Sequence, residues 1–313
     1  MPISRRLFLR DGAQGLAAAS LLAAVPKLVT AADKDAKSVS ARDISVKDVN
    51  GLAVFAGAGC NVVALAGPDG ALLVDGGLAV NSAVLLKVIA ENLKTKRVQT
   101  LLNTHWHPEQ TGSNEAVGKA GGTIISHEVS KLSLQRKERS ALYAGYYGPL
   151  PPKAIPTQTT YNVGSLMFAD EQVDYRYLPA AHTNGDLFIH FPKHNVIAAG
   201  GPVAADHWPV MDYLNGAFMH GFVRSYEILA EVAKPDTLIV PANGPTLTGA
   251  DLVKQKDMYW ALFKQFFISF NKGFGPQDVV EAHPLKDYEA QYGDPAQFLE
   301  YAYRSVQLAT IPF

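Results

Sequence analysis

Three histidines that follow apolar segments are the residues of this chain best suited to chemistry. His105 and His107 lie two positions apart in Asn103-Thr104-His105-Trp106-His107-Pro108-Glu109-Gln110-Thr111-Gly112. Alternate side chains of an extended segment point the same way, so both rings can reach one metal ion. His182 stands in Ala180-Ala181-His182-Thr183-Asn184-Gly185-Asp186, again after an apolar run. Three neutral imidazoles are a sound set for zinc and leave a coordination position for water. Of the remaining histidines, His127, His190, His194, His220 and His283 have no supporting pattern and are read as structural. His207, in Asp206-His207-Trp208-Pro209, is either a substitute ligand or part of a pocket wall that includes Trp208.

Those loops need strands to hold them. Residues 52–56, 61–66 and 71–75 are apolar, and Gly67-Pro68-Asp69-Gly70 joins the last two as a hairpin. Val84, Leu85, Val88, Ile89 and Leu93 recur at helical spacing and predict a helix over 80–94. Residues 98–102 read as a buried strand, with the His105 loop leaving its C-terminal end. A helix over 113–120 and a short strand at 124–125 follow. A second group of strands is expected at 166–168, 173–178, 187–191 and 196–199. It is completed by a helix over 221–232, a strand over 237–240 and helical patterns from Asp251 onward. Strands and helices twice over predict an α/β protein of two sheets with helices outside. The Pro- and Tyr-rich segment Tyr146-Tyr147-Gly148-Pro149-Leu150-Pro151-Pro152 is either a cover over the site or a packed surface loop.

The 313 residues are 48% hydrophobic with a net charge of -1, an ordinary balance for a globular chain that gives no signal for nucleic acid. The single cysteine, Cys60, excludes an internal disulfide and reads as a small buried residue. Ser4-Arg5-Arg6-Leu7-Phe8-Leu9-Arg10 precedes a mild apolar run and the small residues Ala31 and Ala32. That order of charge, short apolar stretch and cleavable end is a secretory signal, and its paired arginines resemble a bacterial twin-arginine signal. Residues 1–32 are therefore expected to engage the twin-arginine machinery and be removed in the periplasm. Residues 33–50 read as a lead-in with an early strand, 51–250 as the main domain and 251–313 as a helical extension packed on it. No stretch of the mature chain reads as a transmembrane span.

Taken together, these segments resemble the metallo-β-lactamase superfamily. Leu72-Leu73-Val74-Asp75-Gly76-Gly77 is similar to its first motif, the His105 segment to its His-x-His-x-Asp-His motif, and the His182 segment to its third-histidine motif. Val196-Ile197-Ala198-Ala199-Gly200-Gly201 falls where the family has a strand ending in Gly-Asp. Val240-Pro241-Ala242-Asn243-Gly244-Pro245 falls where it has Pro-Gly-His-Gly. The resemblance implies a four-layer αβ/βα sandwich of two mixed sheets. It carries one metal position onto His105, His107 and His182. A second would need Asp, His, Asp and His, where this chain has Glu109, Gln110, Gly201 and Asn243.

The reading is a mononuclear site holding one zinc, with iron a possible occupant. Glu109 is the candidate general base, or else a partner of a histidine. Asn243 is either a donor to a substrate oxyanion or a turn residue. Asp75 and Asp186 are expected to hold ligand histidines from behind. The function expected is hydrolysis of a small-molecule ester, thioester, lactone or amide. The alternatives are a non-catalytic metal- or ligand-binding descendant and an iron-dependent oxidoreductase. The missing carboxylate at Gly201 weighs against the last.

Overall fold

The computed structural model describes residues 38–310 apart from Ala144, so the signal expected at residues 1–32 lies outside the described residues. The first sheet contains β1 (Ser45–Val49), β2 (Leu52–Ala56), β3 (Val62–Gly67), β4 (Gly70–Val74), β5 (Val98–Leu102), β6 (Thr123–His127) and β7 (Gln158–Thr160), in that spatial order. Strands β1 to β4 pair antiparallel and β4 to β7 pair parallel. Parallel neighbours need crossovers. Helix α1 (Ser82–Leu93) crosses from β4 to β5, and the short helices α2 (Pro108–Thr111) and α3 (Asn114–Lys119) lie between β5 and β6. Helix α4 (Glu128–Leu134) follows β6.

The second sheet contains β8 (Val163–Phe168), β9 (Glu171–Leu178), β10 (Asp186–Phe191), β11 (Val196–Gly200), β12 (Leu238–Pro241) and β13 (Leu247–Thr248). They pair in sequence order, antiparallel throughout except for the parallel pair β11 and β12. That pair is spanned by α5 (Met219–Val232), and α6 (Gly249–Asn271), α7 (Pro276–Glu281), α8 (Glu289–Tyr292) and α9 (Ala296–Thr310) complete the chain.

Unbroken apolar runs explain the layering, because strands covered on both faces are apolar at every position. In β4, Leu72 and Val74 face the other sheet, while Ala71 and Leu73 pack with Leu85, Val88 and Ile89 of α1. In β11, Val196 and Ala198 enter the core between the sheets, while Ile197 and Ala199 pack with Phe222, Tyr226 and Tyr259 on the helical side. Three apolar layers thus separate helix, sheet, sheet and helix, which is the four-layer sandwich expected. Thr248 and Asp251 close a capping box at the start of α6, each accepting from the other's backbone N–H at 3.2 Å.

The helix expected over 113–120 is α3, and a separate short helix that was not expected precedes it. Pro108, suited to a first helical position, starts α2 directly after His107, and α3 starts at Asn114. The two- and three-residue strands β13 and β7 were too short for any periodicity to reveal.

The C-terminal helices share one core with α5. Phe222 packs its ring against Tyr226, Tyr259 and Phe298 at centroid distances of 5.3, 5.0 and 6.1 Å. Phe222→Ala is expected to cost about 3–5 kcal/mol in denaturant unfolding. A cost below about 1 kcal/mol would show that this cluster does not join the C-terminal helices to the second sheet.

Candidate metal centre

Both metal-ligand segments leave strand ends that face each other across the sandwich. The His105 segment follows β5, and the His182 segment runs from β9 to β10. The three rings form a near-equilateral triangle, with centroids 4.8 Å apart for His105 and His107, 4.5 Å for His105 and His182, and 4.7 Å for His107 and His182. Their candidate ligand atoms lie within 4.8 Å of one another, and all three residues are buried.

Each ring has one nitrogen engaged from behind. His182 Nδ1 lies 2.5 Å from the Val210 carbonyl oxygen, which can only accept, so Nδ1 carries the proton. His107 Nε2 donates to the Asp212 carboxylate at 3.1 Å. His105 Nδ1 lies 2.9 Å from Thr104 Oγ1, whose hydroxyl donates to Asp75 Oδ2 at 2.8 Å. In the neutral rings the inward nitrogens are then lone pairs, and His107 Nδ1 and His182 Nε2 face each other at 2.9 Å. Two lone pairs cannot bond each other. Burial lowers the pKa of all three rings, which opposes filling the gap with a proton. A buried acceptor left unpaired costs about 1–3 kcal/mol. A single metal ion satisfies all three at once, so the donor set fits one.

The carboxylates expected behind the histidines divide in role. Asp75 sits at the end of β4 at a left-handed φ of 65°, a strained angle for a non-glycine residue. From there it accepts from both the backbone N–H and the hydroxyl of Thr104. It therefore acts on His105 through Thr104. Asp186 does not touch the His182 ring. It accepts from the backbone N–H groups of His182 and Thr183, at 2.6 and 2.9 Å, and fixes the loop instead. The carboxylate that does hold a ring is Asp212, 105 positions from His107. Asp212 also accepts from the backbone N–H of Ala141 and from Asn215, tying the ligand to the loop above it.

Where the resemblance would put a second metal, position 201 has no room for a ligand side chain. A Cβ placed on Gly201 would stand 2.4 Å from His182 Cδ2 and 2.8 Å from His182 Nε2. The His182 ring occupies the space that an aspartate at 201 would need. Gln110 is buried beside the site, and its Oε1 has no partner among the described residues. Asn243 is exposed and lines the cavity, and with its amide swapped end for end its nitrogen would donate to the carbonyls of Gly59 and Ala242, both at 3.2 Å, an arrangement that favours the turn role over an oxyanion donor.

Glu109 takes the remaining position. It lines the same cavity as the three histidines, and its Oε2 accepts from Tyr143 Oη at 3.3 Å. Burial pushes its carboxyl up to about 7. Its backbone carbonyl accepts from Cys60 Sγ at 3.0 Å, and Cys60 is buried as expected. His207 lines the cavity but pairs with Asp206 at 2.8 Å, apart from the three-histidine cluster.

The cavity has a volume of about 390 Å³. Leu142 and Tyr143 form one side, and Trp208, Tyr292, Phe298 and Tyr301 form another. The expected cover loop contributes indirectly. Tyr147 hydrogen-bonds Thr111 of α2 at 2.8 Å and stacks over Trp106, while residues 142 and 143 just before it reach the cavity. The roles of Asp212, Val210 and Tyr143 escaped the sequence reading, since no spacing links them to the histidines, and Thr104, though next to His105, was given no role there.

Gly201→Asp is expected to lose metal rather than gain a second ion, because its side chain displaces His182. Metal counting after dialysis should give less than the wild-type content, and two ions per chain would contradict the clash at 201. Asp212→Asn, which keeps the shape but weakens the support of His107, should weaken metal binding about tenfold or more in chelator competition. Unchanged affinity would remove Asp212 from the site.

Residues 56–244 match the family described as the metallo-beta-lactamase superfamily. A metallo-beta-lactamase type 2 from Bacillus sp. (strain 170) is 25% identical over 179 residues, covering 56% of this chain and 63% of its own length. This chain therefore spans less than two thirds of that relative. A solved metallo-beta-lactamase from Pontibacter korlensis superposes with a TM-score of 0.52 at 19% identity, covering 69% of this chain and 93% of that one. The stereoselective inverting sec-alkylsulfatase Pisa1 from Pseudomonas sp. superposes with a TM-score of 0.61 at 14% identity, covering 86% of this chain and 52% of its own. The family match takes in all three ligand histidines and more than half of the sequence, and by it this chain belongs to the metallo-beta-lactamase superfamily.

Proposed function

We propose that this protein is a single-metal hydrolase, with zinc as the ion, acting on an ester, thioester, lactone or amide. The observation that carries the proposal is the convergence of three imidazoles, each held from behind, on a cavity that also receives the Glu109 carboxylate. Three nitrogen ligands without a thiolate suit zinc. The named relatives, a β-lactamase and an alkylsulfatase, are both hydrolases. An iron oxygenase site needs a carboxylate beside its histidines. Position 201 has no room for one, and Asp212 is committed to the outer nitrogen of His107.

When bound, the ion polarises a substrate carbonyl and acidifies a water. His105, His107 and His182 fix where it sits. Glu109 takes the proton from the attacking water and returns it to the leaving group. Tyr143 donates to Glu109 and keeps its own proton, because burial raises its pKa well above the ordinary value. The apolar walls exclude bulk water and strengthen these interactions. Residues 1–32 direct the chain to the periplasm through the twin-arginine pathway, which accepts proteins already folded.

The chain from residue 33 onward is expected to hydrolyse uncharged activated esters. A chelator should abolish the activity, and one equivalent of zinc should restore it. Glu109→Gln should lower kcat by about 10²–10⁴ with the metal still bound. Turnover that survives both the chelator and His182→Ala, or a Glu109→Gln protein as fast as wild type, would overturn this assignment.

A further inference from the structure

The wall of the cavity farthest from the histidines is supplied by the C-terminal segment. Tyr292, Phe298 and Tyr301 lie beyond residue 244, where the family match ends. They are assembled around Trp208. The Trp208 Nε1–H donates to the Gly293 carbonyl at 2.8 Å, and its ring stacks on Phe298 at 5.6 Å with an interplanar angle of 11°. Tyr292 closes on the same indole at 4.8 Å. Tyr301 donates to the Ala141 carbonyl at 3.4 Å, which joins α9 to the loop carrying Tyr143. The wall is thus aromatic and held in place by hydrogen bonds at its edges.

Away from the three histidines and His207, the ionisable side chains lining the cavity, other than tyrosine, are acidic. Its lining carries the carboxylates of Glu109 and Asp294, and among the described lining residues there is no lysine or arginine. Sites that recognise carboxylate, sulfate or phosphate groups use the fork of arginine or the ammonium of lysine. Here an anionic group placed away from the metal would meet aromatic rings and acidic side chains, and would lose its hydration without a partner.

We infer that the cavity selects uncharged substrates, with an apolar group seated against the wall of Trp208 and Phe298, and rejects substrates that carry an acid on that side. This rests on the hydrolase reading for the identity of the reacting group, but not for the preference itself. The C-terminal helices are then the specificity element of the enzyme.

Two paired probes test this on the zinc-loaded chain. The first pair is para-nitrophenyl pentanoate and para-nitrophenyl hydrogen glutarate, nearly equal in length and differing in a terminal acid. The second is N-benzylpentanamide and N-benzylglutaramate, compared by titration calorimetry over a time in which product analysis finds neither amide cleaved, so that binding is read without turnover. The neutral member of each pair is expected to win by about tenfold or more, in kcat/KM and in Kd respectively. Gln297→Arg places a cation on the exposed rim of α9 and should narrow both ratios. Trp208→Ala should weaken the neutral amide most. Equal or tighter binding of the glutaramate, or no binding of either amide, would overturn the inference. Neutral-selective binding with no hydrolysis of either ester would overturn the hydrolase reading and leave the inference standing.

Discussion

The His182 ring lies against Gly201, and most of the site follows from that contact. The ring is pinned on its other side by the Val210 carbonyl, so it has one orientation, with Nε2 turned to His107. The same ring fills the space above Gly201, where any side chain would clash. One placement therefore completes a three-nitrogen cluster and excludes a ligand side chain at 201. It also fixes the segment after Val210. Asp212 reaches back to His107, and its N–H donates to the His182 carbonyl at 2.9 Å.

The carboxyls behind the site show which force dominates there. Asp75, Asp186 and Asp212 each accept two or more hydrogen bonds, which favours the charged form. Burial outweighs those bonds, pushing Asp75 up to about 8 and Asp186 up to about 7 and raising Asp212 as well. A cation among the three rings favours the charged forms and offsets part of that desolvation. Metal, carboxylates and ligand loops are thus energetically one unit. The strained Asp75 backbone, at about 1–3 kcal/mol, is tolerated because it lets one carboxylate hold both the N–H and the hydroxyl of Thr104.

Sequence made the layers legible because buried strands such as β4 and β11 are apolar at every position. The three-histidine cluster was legible because His105 and His107 keep a fixed local spacing, and because the segments around them resemble family motifs in order. The absence of a side chain at Gly201 was legible from residue type alone. What could not be read was the support. Asp212 acts on a residue 105 positions away, and the Val210 contact uses a backbone carbonyl, which leaves no trace in residue type. The divided roles of Asp75 and Asp186 depend on where the loop N–H groups point. The cavity wall is a further case. The aromatic residues after Asp251 carry no pattern that separates core from pocket: Tyr259 and Phe266 are core, while Tyr292, Phe298 and Tyr301 pack on that core and also build the pocket.

The central claim is one metal position formed by three histidines and a second left without a ligand at 201. Crystals of the chain from residue 33 onward, grown with excess zinc, test it through anomalous scattering measured on both sides of the zinc absorption edge. The account predicts one peak, within bonding distance of His105, His107 Nδ1 and His182 Nε2. A second peak of comparable occupancy beside Glu109, Gln110 and Asn243, with His182 still on Gly201, would contradict it.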